Sequence, residues 1–284
     1  MSTLGIKDKD AADQYLGVMG TGTSPLPFYS IPADFFTEVV KGNVAGHSIM
    51  SGMGEFESGN VDAAGEDVCR WEDVGGPARL PQPAPAGEQM TFISSSTADN
   101  GATATGVLTV KMHYLDATGA EQVETITMNG TTGVNSVATD IRFVQDIYAL
   151  TVGSNGVAEG NITCYKTGGA IATDLYQFIV LGGNKSLVPH RMVPLGKTLI
   201  LKGWSASEAG IKRCAFRIRS TDMYGVLISG VFCFKDTIYL EGNTSGELSL
   251  NVKVPALSVV KISGWSDEIA SEGSASWWGI LVDD

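Results

Sequence analysis

The chain has 284 residues, with 19 basic and 31 acidic side chains and a formal net charge of −12. That balance argues against gripping nucleic-acid phosphates or an anionic membrane surface, and a hydrophobic content of 43% excludes wholesale disorder. No apolar run approaches the roughly 20 residues of a membrane helix, so no membrane insertion is expected. The 35 glycines make up about 12% of the chain against a usual 7% or so, which points to many turns between short strands.

The opening segment, Met1-Ser2-Thr3-Leu4-Gly5-Ile6-Lys7, lacks the apolar core of a signal peptide. Gly17 to Gly22 reads as loop, and Ser24-Pro25-Leu26-Pro27 as extended chain. One helix is predicted, from Pro32 to Lys41. Pro32 suits the first turn, Asp34 favours the positive end, and Lys41-Gly42 close it. Its apolar residues Phe35, Phe36, Val39 and Val40 recur at helical spacing and make one greasy face. Two readings stand for that face: packing on its own domain, or anchoring the chain to another subunit. Residues 1–65 are thus expected to be an extended N-terminal arm, with glycines at 17–22 and 42–65 loosening it.

From about residue 66 the hydrophobic period changes to two. Pro77, Pro81, Pro83 and Pro85 stiffen a crossing loop. In Val107 to Tyr114 the residues Leu108, Val110, Met112 and Tyr114 share one face, opposite Thr109, Lys111 and His113. A turn at Asp116 to Gly119 leads to a return strand from Glu121 to Met128, and Asn129-Gly130 is the next turn. Further strands are predicted over Ile141 to Thr151 and Asn161 to Tyr165. A first antiparallel β domain is expected over 66–172.

A second is expected over 173–284. Leu199 to Trp204, Val226 to Phe234, Thr237 to Leu240, Leu248 to Val254, Val259 to Trp265 and Trp277 to Val282 read as strands. Arg213 to Arg219 alternates cleanly, with Cys214, Phe216 and Ile218 inward and Arg213, Arg217 and Arg219 outward. The expected fold class is all-β: two antiparallel β-sandwich or jelly-roll domains behind an arm with one short helix.

Tests for chemistry find little. Gly196-Lys197-Thr198 resembles the end of a phosphate loop, but Arg191 stands where the first glycine belongs, and a strand follows. There is no nucleophile elbow, and Asp8, Asp10 and Asp13 are too irregular for a calcium loop. Cys69, Cys164, Cys214 and Cys233 form no close pair for zinc and are expected to be reduced, with Cys69–Cys164 the pair to form under oxidation. His47, His113 and His190 share no local spacing. No catalytic residue, metal site or cofactor is expected, and the chain reads as a non-enzyme. The arginine stripe suits either an anionic partner or a solvated face paired with neighbouring acids. Trp277-Trp278 can place one ring inward and the other outward, to fill an interface or stack on a sugar.

Val44-Ala45-Gly46-His47-Ser48-Ile49 with Glu66-Asp67-Val68 resembles the N-terminal part of virion structural proteins of tailed bacteriophages. Ile93-Ser94-Ser95-Ser96, Asn129-Gly130-Thr131-Thr132 and Leu150 to Gly156 continue the likeness, as does the turn Val193-Pro194-Leu195-Gly196-Lys197-Thr198. The resemblance covers about residues 44–204. It implies a fibre, appendage or capsid-decoration component in the virion, made in the host cytoplasm. It further implies a homotrimer bound to other virion proteins of the capsid, collar or tail; the alternative, resting on Trp277 or Trp278 as a stacking platform, is a carbohydrate-binding module with a host surface glycan as partner. No active-site residues are carried over with it.

Overall fold

The computed structural model describes residues 35–57, 65–81, 83–101, 104–267 and 271–284. The expected loop at Gly17 to Gly22, the proline segment at 24–27 and the first turn of the helix lie outside these residues. The chain divides into two compact units, Met1–Ile49 and Met50–Asp284.

In the first unit, the described part of the predicted helix is α1 (Phe35–Val40), and Lys41 already lies in the turn that follows. It ends as its sequence requires. Gly42 takes a positive φ of 75°, Asn43 N donates to Glu38 O at 2.9 Å and Gly42 N to Val39 O at 2.9 Å. This two-bond cap satisfies carbonyls that the helix leaves open, and only glycine adopts that φ without strain. Val39 is buried, Phe36 is half-buried, and Phe35 and Val40 are exposed. The Phe35 ring meets His47 edge-on, with centroids 5.5 Å apart.

The second unit is all-β. Among the described residues, four main sheets and a two-stranded ribbon account for its strands. The first sheet has the order β1 (His47–Glu57), β18 (Glu272–Asp283), β11 (Lys197–Glu208), β16 (Ser245–Val254). The second places β17 (Val259–Ser266) beside β12 (Arg213–Ser220), which pairs with β15 (Cys233–Glu241). The other edge of β17 pairs with β10 (Arg191–Met192) at Val259-Val260 and with β2 (Glu66–Asp67) at Ser263-Gly264. Both sheets contribute to one core that includes Leu201, Trp204, Phe216, Ile218, Ile262 and Trp277. Each large apolar side chain buried there contributes about 1.5–3 kcal/mol.

Counting β1, β2, β11, β12, β15, β16, β17 and β18 as eight successive strands, the ladders join first to last, second to seventh, third to sixth and fourth to fifth. This is one long hairpin rolled on itself. Its strands come from both ends of the unit, because β1 and β2 precede residue 68 and the rest follow residue 196.

Between them lies a second sandwich. One sheet orders β6 (Val134–Asn135), β3 (Met90–Ser94), β8 (Ile162–Lys166) and β9 (Leu175–Ile179), with α2 (Ile171–Asp174) between the last two in sequence. The other orders β5 (Glu121–Thr127), β4 (Val107–Asp116) and β7 (Ile141–Val152). Met90, Phe92, Val110, Met112, Ile147 and Ile162 share its core. Leu115 and Phe143 of this sandwich pack with Met192 and Val259 of the rolled hairpin. Gln145 ties the two together as well, donating to Met192 O at 2.6 Å and accepting from Met192 N at 2.9 Å.

Four expectations need correction. Residues 47–57, assigned to a loose glycine arm, form β1. Its glycines serve close approach: a Cβ on Gly52 would lie 2.5 Å from Pro189 O, and one on Gly54 2.4 Å from Pro189 Cδ. The two β bodies are not consecutive, since the second sandwich interrupts the first, and the expected boundary at 172/173 separates β8 from β9, which pair directly. Residues 226–234 are not one strand: β14 (Val226–Leu227) pairs back onto β13 (Asp222–Met223) around Tyr224-Gly225, and Ser229-Gly230 break the chain before β15. Within β4 the alternation slips at its start, leaving Val107 buried and Leu108 half-buried, where the ladder to β7 shifts register.

If Gly54 serves close approach, Gly54→Ala lowers unfolding stability by about 1–3 kcal/mol through overpacking against Pro189. Were the residue only a flexible spacer, alanine would be neutral or stabilising. Urea unfolding followed by tryptophan fluorescence separates the two.

Candidate functional site

The outer face of the β2/β10–β17–β12–β15 sheet carries the strongest concentration of charge and aromatic surface. Strand alternation puts Arg213, Ala215, Arg217 and Arg219 of β12 on that face, opposite the buried Cys214, Phe216 and Ile218. Register then aligns Arg219 with Lys261, Arg217 with Ser263, and Ser263 with Asp67 of β2.

Asp67 is the centre of this arrangement and is fully buried. Lys261 Nζ lies 2.8 Å from Oδ1 and 2.9 Å from Oδ2. Ser263 Oγ donates to Oδ1 at 2.8 Å, Leu80 N to Oδ2 at 3.2 Å, and Arg219 Nη2 to Oδ1 at 3.4 Å. His190 Nε2 stands 3.9 Å from Oδ2, buried and without a hydrogen-bond partner. Arg219 also donates to Ser263 Oγ. The Phe232 ring covers Lys261 Nζ at 4.0 Å.

Burial and charge compete at each group. For Asp67, burial alone would raise the carboxyl pKa; the Lys261 and His190 charges and the bonds from Lys261 and Ser263 overcome it and hold it below the ordinary 3.8. Lys261 is pulled down by burial, with Asp67 opposing and Arg219 adding to the fall. His190 is pushed down to about 3, first by burial, with Lys261, Arg191 and Arg219 reinforcing against the pull of Asp67. Removing one member would leave buried charge uncompensated, which costs about 3–5 kcal/mol in comparable sites.

Toward the exposed end of the same face, Arg217 lies 4.2 Å from the Trp265 ring centre and 4.9 Å from that of Phe234. Phe234 is exposed and Trp265 half-buried. Arg213 is the outermost arginine, with ion pairs to Glu241 at 3.6 Å and Asp267 at 3.9 Å, and pairs this exposed contribute little.

The other candidates lie elsewhere. Trp277 is buried in the core, where its Nε1 donates to Pro189 O at 2.8 Å, so its ring is not available to a sugar. Trp278 points to the opposite side of β18, half-buried over Gly203, where a Cβ would lie 2.5 Å from its ring. Phe35, Phe36, Val39 and Val40 belong to the first unit. The structure therefore gathers Arg217 and Arg219 with Trp265 and Phe234 and leaves the two tryptophans on another sheet. Sequence reading names Asp67 only within the Glu66-Asp67-Val68 likeness and His190 only among the scattered histidines, and it does not name Lys261 or Ser263. The one signal was Lys261, a charge inside Val259-Val260-Lys261-Ile262.

None of the four cysteines forms a disulfide, and Cys69, Cys164 and Cys214 are buried. Burial raises the thiol pKa of Cys164 and Cys214, which makes them poor nucleophiles. Among the described residues no group of three or more His, Cys, Asp or Glu is placed to hold a metal ion. No helix among them is long and apolar enough to cross a membrane.

No protein-family model matches the chain, and no curated protein matches it. Among solved structures, an infectious bursal disease virus particle of the Gx strain aligns over 84% of this chain and 72% of its own, at 10% identity and a TM-score of 0.24. The cowpea mosaic virus top component aligns over 70% of this chain and 82% of its own, at 5% identity and a TM-score of 0.20. A VP2 subviral particle of infectious bursal disease virus has 10% identity and a TM-score of 0.20, over 84% of this chain and 73% of its own. Scores this low do not establish a shared fold.

The His190 environment sets a pH dependence. Its folded pKa, about 3, lies below the ordinary 6.5, so the unfolded chain takes up a proton first as pH falls. Stability from this group is complete above pH 6.5 and is lost toward pH 3, at up to about 1.4 kcal/mol per pH unit. Chemical unfolding at pH 7 and pH 5 is expected to show a loss in the native protein that His190→Asn reduces.

Proposed function

We propose that the chain is a non-enzymatic structural protein of a virion, built on a jelly roll with a second β-sandwich inserted between its second and third strands. The observation that carries this reading is the ladder order, first to last through fourth to fifth, which is that of a rolled eight-stranded hairpin. Jelly rolls recur in viral capsid and lectin domains, where rigid sheets with short turns present a durable surface. The turn motifs that resemble tailed-phage virion proteins, and an acidic charge unsuited to nucleic acid, support the same class.

Within that class we assign the chain to a fibre or appendage component held on the capsid, collar or tail by its N-terminal residues. The exposed Phe35 and Val40 of α1 supply apolar surface for such an anchor. A homotrimer suits the exposed edge strands β15 and β16, which closed symmetric assembly would cover. A second reading, a glycan-binding module, draws on Trp265 and Phe234 beside Arg217, an aromatic surface able to stack on a sugar.

Deleting residues 1–42 tests the anchor. The truncated protein is expected to stay folded and to be lost from purified particles; incorporation at normal copy number overturns the assignment. A copy number equal to that of the shell subunits makes the chain a decoration protein instead. Binding on a glycan array, lost in Trp265→Ala, would favour the module reading.

A further inference from the structure

We propose that Lys261 and Asp67 condense into an intramolecular amide, a covalent strut between β17 and β2. The geometry is that of a reactant pair. The amine nitrogen sits 2.8 and 2.9 Å from the two oxygens of one carboxyl group, and both side chains are shut away from water. An aromatic ring closes the pocket over the nitrogen. Holding two groups this way supplies much of the entropic part of a bimolecular barrier.

The surrounding groups match the steps. Proton transfer within the contact gives a neutral amine and a neutral carboxylic acid, and burial, which disfavours both charges, makes that pair accessible. Nζ then attacks Cγ. The charge that develops on Oδ1 meets donors already aimed at it, the Ser263 hydroxyl at 2.8 Å and Arg219 Nη2 at 3.4 Å. His190 Nε2, 3.9 Å from Oδ2 and without a hydrogen-bond partner, takes the proton that Nζ sheds and passes it to Oδ2. The Nζ–Cγ bond forms, the Cγ–Oδ2 bond breaks, and one water leaves; no oxidant or co-reactant enters. Because the same neighbours also favour ionised Asp67, the step is a slow single maturation event after folding.

The strut would join residues 194 positions apart and close the chain around the inserted sandwich. It does not depend on the virion reading. The test is mass spectrometry of the purified full chain, aged at neutral pH, unfolded and digested with trypsin. The expected result is an intact mass lower than that of the sequence by one water, with a branched peptide joining residues 42–70 to 254–284 through uncleaved Lys261. An unshifted mass with separate peptides ending at Arg70 and Lys261 overturns the proposal, as does water loss without the branched peptide. Lys261→Arg keeps a cation beside Asp67 and is expected to show no linkage. His190→Asn is expected to slow linkage at least tenfold; linkage at the native rate removes His190 from the proton transfer.

Discussion

The fold turns on where one carboxylate is buried. Asp67 ends the short strand β2, at the point where the chain leaves the rolled hairpin for the inserted sandwich. A bare charge there would be prohibitive, so everything that touches it must arrive in register: Lys261 and Ser263 from β17, Arg219 from β12, Leu80 from the outgoing loop and His190 from the returning one. A single ion thus specifies how four separate stretches of chain meet. Few apolar contacts could do that, since apolar surface tolerates sliding and a bidentate ion pair does not.

The returning loop is held from its other side by packing rather than charge. Pro189 lies against β1 at Gly52 and Gly54, and its carbonyl accepts from Trp277. The two glycines and the tryptophan act together: the missing side chains let the loop sink to the depth at which the indole reaches it. Next along the chain, Arg191 donates to Val188 O and His190 O, and Met192 exchanges bonds with Gln145 of the inserted sandwich. Charge, close approach and paired amide bonds follow one another over four residues. That continuity leaves no step of the junction between the two β bodies without a contact.

How much of this the sequence displays depends on whether the signal is local. Strands with one wet face, such as β12 and β16, show their period directly. So does the cap at Lys41-Gly42. β9 does not, because Leu175 to Ile179 are all buried and leave no alternation to see. β1 is hidden for a different reason, since its glycines look like linker until the Pro189 backbone is placed beside them. The short β14 is disguised because Val226 to Phe234 is apolar enough to read as one continuous strand across Ser229-Gly230. The Asp67 site is the least legible of all. Its members are ordinary residues taken singly, spread from position 67 to position 263, and only the ladder order brings them together.

Because the first strand of the rolled hairpin pairs with the last and the second with the seventh, one of its sheets cannot be completed until β18 has been synthesised and the other until β17 has. The inserted sandwich, by contrast, draws its strands from one continuous stretch, β3 to β9, and can form its core while later strands are still emerging from the ribosome. During that interval β1 and β2 must wait unpaired while more than a hundred residues fold beyond them. Long-range ladders of this kind slow folding and leave strand edges open. The glycines, serines and glutamates of β1 then act as a delay-tolerant composition, since a strand so poor in apolar β-branched residues is a weak template for the wrong neighbour.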